Sequence, residues 1–145
     1  MTELEIKKSN AAVLVVEDDV LVRMPIAAYL RRCGYRVIEA AGSSEALTVL
    51  NQLDLPVDVV LTDVELESGT GGFAVAKWVH ENRPRTKIIL AGTPRRAAEQ
   101  AGELCAKGPH LKKPYDHALV ETEIRNLLAV RQKLDPCETK LPSRT

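Results

Sequence analysis

Short apolar runs alternate along this chain with longer stretches in which apolar residues recur at helical spacing. Runs rich in Val and Ile predict buried strands, and the helical spacing predicts helices with one apolar face. The predicted strands cover residues 12–16, 35–39, 57–62, 86–91 and 110–112, and the predicted helices about residues 19–33, 43–53, 73–81, 95–106 and 117–134. This (βα)5 alternation predicts an α/β fold, a doubly wound five-stranded parallel sheet with right-handed crossovers.

Capping residues mark where these helices should begin and end. Asp18 or Asp19 can cap the first helix, and Gly34 provides a C-terminal stop for it. Ser43 or Ser44 is expected to cap the second helix, which would then continue through residue 53.

Composition limits the class of protein. The 145 residues suffice for one domain, which we place at residues 11–131, between a disordered leader, 1–10, and a polar flexible tail, 132–145. Twenty basic residues balance twenty acidic ones, so no net field attracts nucleic acid or an anionic membrane. The three cysteines lack CxxC spacing, which favours a reducing compartment. Without a membrane-length apolar run or a signal peptide, the protein is expected to be cytoplasmic.

Carboxylates follow two of the predicted strands. The third strand leads into Asp63, and the first strand is followed by Glu17, Asp18 and Asp19. The carboxyl ends of parallel strands form the edge at which such sheets bind ligands. Because like charges repel there, a divalent cation would resolve the conflict, and the cluster predicts an active site. Lys113 follows the fifth strand and should lie at the same edge.

Each of these residues also has a structural interpretation. Asp63 could cap a turn, residues 17–19 could cap the first helix, and Lys113 could be an ordinary solvated lysine. Their combination is more specific than any one of them. It supplies hard oxygen ligands of the kind that magnesium prefers, a nucleophilic carboxylate, and a cation for a transferred phosphoryl group.

With these motifs the sequence resembles the response-regulator receiver domains of two-component signalling. The matching segments are residues 13–19 (VLVVEDD), 61–63 (LTD), 71–73 (GGF) and 113–115 (KPY). The resemblance spans about residues 12–130. It implies a flavodoxin-like strand order, 2-1-3-4-5.

The resemblance also implies a role for each matching residue. Asp63 would be the phosphoacceptor, and Lys113 would pair with the phosphoryl oxygens. Mg²⁺ would be bound directly by Asp18 and Asp63, by the backbone carbonyl of Glu65, and by Glu17 through water. The chemistry would rest on positioning and on charge neutralisation by the metal and the lysine.

Two positions depart from the family pattern. Ala91 stands where the family has the Thr or Ser that contacts the phosphoryl group, and Thr93 lies close by in the following loop. His110 stands at the position of the family's aromatic switch. Phosphorylation should survive both changes, whereas the usual relay from hydroxyl to aromatic ring should not.

The expected function is that of a single-domain response regulator. A sensor histidine kinase or a phosphotransfer protein would donate the phosphoryl group, and no room remains for a DNA-binding domain. The output would be contact with a downstream protein through the predicted fourth helix (95–106), fifth strand (110–112) and fifth helix (117–134). The same face could also form a homodimer. Nucleic acid and membranes are not expected partners. The chain would not be an enzyme beyond slow self-catalysed phosphorylation and dephosphorylation.

Two alternatives belong to other functional classes. Asp63 and Glu65 superficially resemble the Asp-x-Asp motif of haloacid-dehalogenase-type phosphatases, but Glu65 is a poor match and Glu17 and Asp18 would be unexplained. Turnover of an aryl phosphate would identify such an enzyme. Ala91 favours the second alternative, a pseudo-receiver that works without phosphorylation. Incubation with magnesium and acetyl phosphate, followed by intact mass, separates it from a phosphoacceptor.

Overall fold

The computed structural model describes residues 11–63, 71–91, 110–111 and 116–130 of the chain. Within these ranges the chain forms five strands and four helices. The strands are β1 (Ala12–Val16), β2 (Arg36–Ala40), β3 (Val59–Asp63), β4 (Lys87–Ala91) and β5 (His110–Leu111). The helices are α1 (Val20–Arg32), α2 (Ser43–Leu50), α3 (Gly71–Asn82) and α4 (His117–Val130).

The strands form one sheet in the order β2-β1-β3-β4-β5, and every neighbouring pair is parallel. The predicted doubly wound sheet with order 2-1-3-4-5 is therefore confirmed. The register pairs Val16 with Thr62 and Asp63 with Ala91. The carboxyl ends of β1, β3 and β4 thus lie side by side.

The two faces of the sheet are covered by different helices. Val13 and Val15 of β1 lie in one buried cluster with residues of α1 and α4. Leu14 and Val16 lie in a second buried cluster with residues of α2 and α3. Because successive side chains of a strand point to opposite faces, a strand covered on both sides must be apolar throughout. This arrangement explains the apolar run of β1 and that of residues 59–61 in β3. All five residues of each strand are buried, and the polar residues Thr62 and Asp63 come only at the carboxyl end of β3.

The ends of α1 agree with the capping prediction. Asp19 is the N-cap, and its Oδ1 accepts a hydrogen bond of 2.9 Å from the backbone N–H of Leu21. The helix ends at Arg32 with Cys33 as its C-cap, and Gly34 follows with a φ of 103°, the left-handed conformation that glycine adopts at little cost.

The capping prediction for α2 is wrong. The N-cap is Gly42, and Ser43 and Ser44 both lie inside the helix. Glu45 in the first turn accepts a hydrogen bond of 3.0 Å from the backbone N–H of Ala41. The carboxylate of Glu45 therefore satisfies a backbone donor just before the helix. Gly42 has no side chain, so the N-cap residue itself makes no capping hydrogen bond through a side chain.

The predicted C-terminal end of α2 is also wrong, because the helix stops at Leu50 and not at residue 53. The guanidinium of Arg83, which follows α3, donates hydrogen bonds to the backbone carbonyls of Leu50, Gln52 and Leu55 at 3.0, 2.7 and 3.0 Å. These bonds satisfy carbonyls at and beyond the helix end, and a cation is favourable at this end of the helix dipole.

The bounds of β1 agree with the prediction, and those of β2, β3, β4 and α3 differ from it by one or two residues. The last helix begins at His117 as predicted, and its predicted end at residue 134 lies outside the described residues. The predicted leader, 1–10, the predicted helix at 95–106, Lys112 of the predicted fifth strand and the tail, 132–145, lie outside the described residues. None of the helices described is both long and apolar enough to span a membrane.

A buried polar contact joins the start of β2 to α4. The hydroxyl of Tyr35 donates a hydrogen bond of 2.8 Å to Oε2 of Glu121. The other carboxylate oxygen of Glu121 accepts a hydrogen bond of 3.1 Å from Nη1 of Arg125. Burial is the main reason why the pKa of Tyr35 is raised above the ordinary value of a tyrosine, and the hydrogen bond to Glu121 raises it further.

This contact predicts a pH-dependent contribution to stability. Replacing Tyr35 with Phe should lower the free energy of unfolding by about 1–3 kcal/mol at neutral pH, because Glu121 loses a buried donor. The pKa of Tyr35 is raised in the folded state, so the contribution is fully present below the unfolded pKa of about 10 and is lost at higher pH. Urea denaturation of wild type and Tyr35→Phe should therefore show a difference that shrinks above about pH 10. A difference that stays constant with pH would contradict the prediction.

Candidate metal centre

Three carboxylates converge at the carboxyl edge of the sheet. Glu17 and Asp18 directly follow β1, and Asp63 is the last residue of β3. One carboxylate oxygen from each residue can be chosen such that all three lie within 4.8 Å of one another. The parallel register causes this proximity, since Val16 pairs with Thr62 and the next residue along each strand carries a carboxylate.

The environment of this cluster suits a hard divalent cation. Glu17 is fully buried and Asp63 is 5% exposed, whereas Asp18 lies on the surface. Carboxylates held this close repel one another, and burial increases the cost of their charge. Oxygen ligands from carboxylates are those that Mg²⁺ prefers, usually one or two from the protein with the rest from water or substrate. The donor set therefore fits magnesium, and the exposed side at Asp18 gives an ion access.

The loop that carries Glu17 is held by backbone and side-chain hydrogen bonds. The backbone N–H of Glu17 donates to the carbonyl of Ala40 at 3.0 Å, which continues the β1–β2 ladder past the end of β1. Oε1 of Glu17 accepts from the backbone N–H of Asp19 at 3.3 Å. The carbonyl of Glu17 accepts from Nη1 of Arg23 at 2.8 Å. The position of this carboxylate is thus set by β2 on one side and by α1 on the other.

The capping interpretation of residues 17–19 applies to one residue of the three. Asp19 caps α1 through its contact with Leu21. Glu17 and Asp18 instead belong to the cluster with Asp63. Helix capping therefore accounts for the third acidic residue and leaves the first two for another purpose.

The residue beside Asp63 on the neighbouring strand is Ala91. It is the last residue of β4, pairs in register with Asp63 and is fully buried. Residues paired in register point to the same face of a sheet, so the methyl group of Ala91 is the neighbour of Asp63 on this side. The backbone of His110 lies next along the sheet, in register with Leu90. Position 91 is thus beside the carboxylate, as expected, and carries no hydroxyl.

Three predicted site residues, Glu65, Thr93 and Lys113, lie outside the described residues. Their roles remain predictions. Sequence reasoning missed Arg23 and Glu39, whose side chains bond to each other at 3.2 Å beside the acidic cluster. The only available signal was the eight-residue spacing of Arg23 and Arg31 on α1, which places both on one face of the helix.

Comparisons with a family profile and with known proteins agree on one family. The family profile of the response regulator receiver domain matches residues 13–125. The chain is 32% identical to sensor kinase CckA of Brucella abortus over 120 residues, which are 82% of this chain and 13% of that protein. It is 30% identical to transcriptional regulatory protein PdtaR of Mycobacterium tuberculosis over 103 residues, which are 71% of this chain and 49% of that protein. The chain thus spans half or less of the length of these relatives.

Solved structures share the fold. The signal receiver domain of an HD domain-containing protein from Pseudomonas fluorescens superposes with a TM-score of 0.75 at 22% identity, covering 85% of this chain and 98% of that one. A CheY-like receiver domain protein from Methanospirillum hungatei gives a TM-score of 0.76 at 21% identity, covering 84% and 96%. Sheet order, acidic cluster and profile match agree, and the chain belongs to the response regulator receiver domain family.

Proposed function

We propose that this receiver domain accepts a phosphoryl group on Asp63 from a histidine kinase or a phosphotransfer protein and signals through contact with another protein. The observation that carries the proposal is the cluster of Glu17, Asp18 and Asp63 at the carboxyl edge of the sheet. A buried nucleophile at the end of β3, next to two carboxylates suited to a cation, meets the requirements of phosphoryl transfer to an aspartate.

In the proposed reaction a carboxylate oxygen of Asp63 attacks the phosphorus of a phosphohistidine. The new oxygen–phosphorus bond forms as the phosphorus–nitrogen bond breaks, and the leaving imidazole takes up a proton. The product on Asp63 is an acyl phosphate. Bound Mg²⁺ would neutralise negative charge on the phosphoryl oxygens. Asp18 and Asp63 would ligate the ion directly, and Glu17 would hold it through water.

Two further roles are proposed from the family resemblance alone. The backbone carbonyl of Glu65 would complete the protein ligands of the metal. Lys113 would pair with a phosphoryl oxygen, as a point charge suited to phosphate. The alternative of a pseudo-receiver is favoured by one observation, the methyl group of Ala91 beside Asp63.

The first prediction from this proposed function concerns the phosphorylation site. Incubation with magnesium and acetyl phosphate should add the mass of one phosphoryl group to wild type, and Asp63→Asn should remain unmodified because an amide is not a nucleophile of this kind. Asp54→Asn is the matched control, since it makes the same chemical change at an exposed carboxylate in the loop before β3. Intact-mass spectrometry measures both. Modification of Asp63→Asn to the wild-type extent would show that another residue accepts the group, and an unmodified wild type would favour the pseudo-receiver.

The second prediction concerns charge repulsion in the metal-free site. Asp18→Asn should raise the melting temperature of the metal-free protein, because it removes one of three clustered negative charges. The same substitution should abolish stabilisation by magnesium, which for wild type is about 2.7 kcal/mol at about 100 times the dissociation constant. Thermal melts with and without magnesium chloride test both effects, with Asp54→Asn as the control. A magnesium-dependent shift of wild-type size in Asp18→Asn would exclude a ligand role for Asp18.

The third prediction concerns the missing hydroxyl at Ala91. A hydrogen bond to a charged acceptor contributes about 1.5–3 kcal/mol, enough to shift a two-state equilibrium more than tenfold. Ala91→Thr should therefore enlarge the response of the backbone amides of β5 and of the predicted fourth helix, residues 95–106, to a phosphoryl mimic. Ala91→Val is the matched control, because Val has the shape of Thr and fills the same buried space without a hydroxyl. Amide chemical shifts with and without the mimic measure the response.

Two outcomes would argue against this role for position 91. Equal responses in Ala91→Thr and Ala91→Val would attribute any change to volume. Equal responses in wild type and Ala91→Thr, together with an unchanged response in Thr93→Ala, would show that neither hydroxyl matters.

A further inference from the structure

Two arginines of α1 reach the same carboxylate on β2. Nε of Arg23 lies 3.2 Å from Oε1 of Glu39, and Nη1 of Arg31 lies 3.0 Å from Oε2 of the same residue. The arginines are eight residues apart, about two helical turns, so both project from one face of the helix. Glu39 is thus shared by two cations that differ in what else they contact.

The two arginines differ in the second contact that each of them makes. Nη1 of Arg23 donates a hydrogen bond of 2.8 Å to the backbone carbonyl of Glu17. Nη2 of Arg31 donates a hydrogen bond of 3.0 Å to the carbonyl of Val37, which lies within β2 itself. The side chain of Arg23 is 16% exposed and that of Arg31 is 49% exposed. Within the described part of the chain, Arg23 therefore joins α1, β2 and the loop after β1, whereas the side-chain contacts of Arg31 join α1 to β2.

We propose that Arg23 is a positioning residue for the acidic cluster, fixing the loop after β1 so that Glu17 and Asp18 face Asp63. This inference rests on the proposed function, because the cluster must bind a cation for the positioning to matter. A guanidinium suits the task, since its planar donors are fixed relative to one another. With Nε held by Glu39, the direction of Nη1 toward the Glu17 carbonyl is determined.

The charge of Arg23 makes the inference testable, because loss of the charge and loss of the positioning contact should change the magnesium affinity in opposite directions. A positive charge next to one of the cluster residues repels a cation, so removing the charge alone should tighten magnesium binding. Loss of the bond to the Glu17 carbonyl frees the loop, and disrupting groups that orient metal ligands commonly weakens metal binding by about tenfold or more. The two effects have opposite signs, and the proposal requires the positioning effect to be the larger.

The experiment compares three variants of the full chain. Magnesium chloride is titrated while the backbone amide signals of Asp18 and Asp19 are followed by NMR. Arg23→Met, which keeps the apolar stem and loses all donors, should weaken binding about tenfold. Arg23→Lys keeps the charge and a flexible ammonium group in place of the rigid guanidinium, and its affinity should fall between those of Arg23→Met and wild type. Arg31→Met is the matched control, because it removes the same group from the same carboxylate without touching the Glu17 loop.

A second readout needs no metal. The backbone N–H of Asp19 donates to Oε1 of Glu17, so its protection from hydrogen exchange reports the order of this loop in the metal-free protein. Arg23→Met should lose this protection, and Arg31→Met should keep it. A loss in both variants would assign the effect to general weakening of α1, and would overturn the inference.

The titration distinguishes this inference from the proposed function. If wild type binds magnesium and Arg23→Met binds it equally or more tightly, the positioning role is wrong while the metal site stands. Weakening by Arg31→Met as large as that by Arg23→Met would also overturn it. If wild type binds no magnesium, the proposed metal site fails and the inference fails with it.

Discussion

Burial of both faces of the central strands is the constraint on which this structure depends. The residues of β1 and β3 are buried on each side by helices, and their backbone groups are used in the ladder. Charged groups can then enter only at the strand ends. At the amino end of β3, Asp58 accepts a hydrogen bond of 2.7 Å from the backbone N–H of Ala12. At the carboxyl end, Glu17, Asp18 and Asp63 come together. The carboxylate at the amino end of β3 thus bonds to the backbone of β1, whereas the carboxylates at the carboxyl end of the strands form the candidate site.

The fold and the carboxylates of the site could be predicted from the sequence because both follow from local patterns. Apolar runs without alternation require a sheet covered on both sides, and the intervening helices require parallel strands. Once the strands are parallel, the acidic residues after β1 and Asp63 must lie at one edge. The position of Ala91 beside Asp63 is expected from the family resemblance, which supplies the strand order and the position of the usual Thr or Ser, and the register agrees with it.

Features that depend on distant side chains could not be predicted in this way. The end of α2 is set by Arg83, more than thirty residues further along the chain than Leu50. The shared contact of Arg23 with Glu39 and the Glu17 carbonyl requires α1, β2 and the loop after β1 to be in place together. No local periodicity encodes such contacts, because each depends on a partner from another element.

The hydrogen bond between Tyr35 and Glu121 has a consequence for how the chain folds. Its two partners are 86 residues apart. The inner face of α1 packs against α4 in the buried cluster that also contains Tyr35. During synthesis the part of α1 that contacts α4 therefore stays uncovered until α4 emerges from the ribosome, while the strands of the amino-terminal half can already cover the rest of its inner face. Long sequence separation between contacting residues slows folding, because the ordering of the intervening chain precedes the contact.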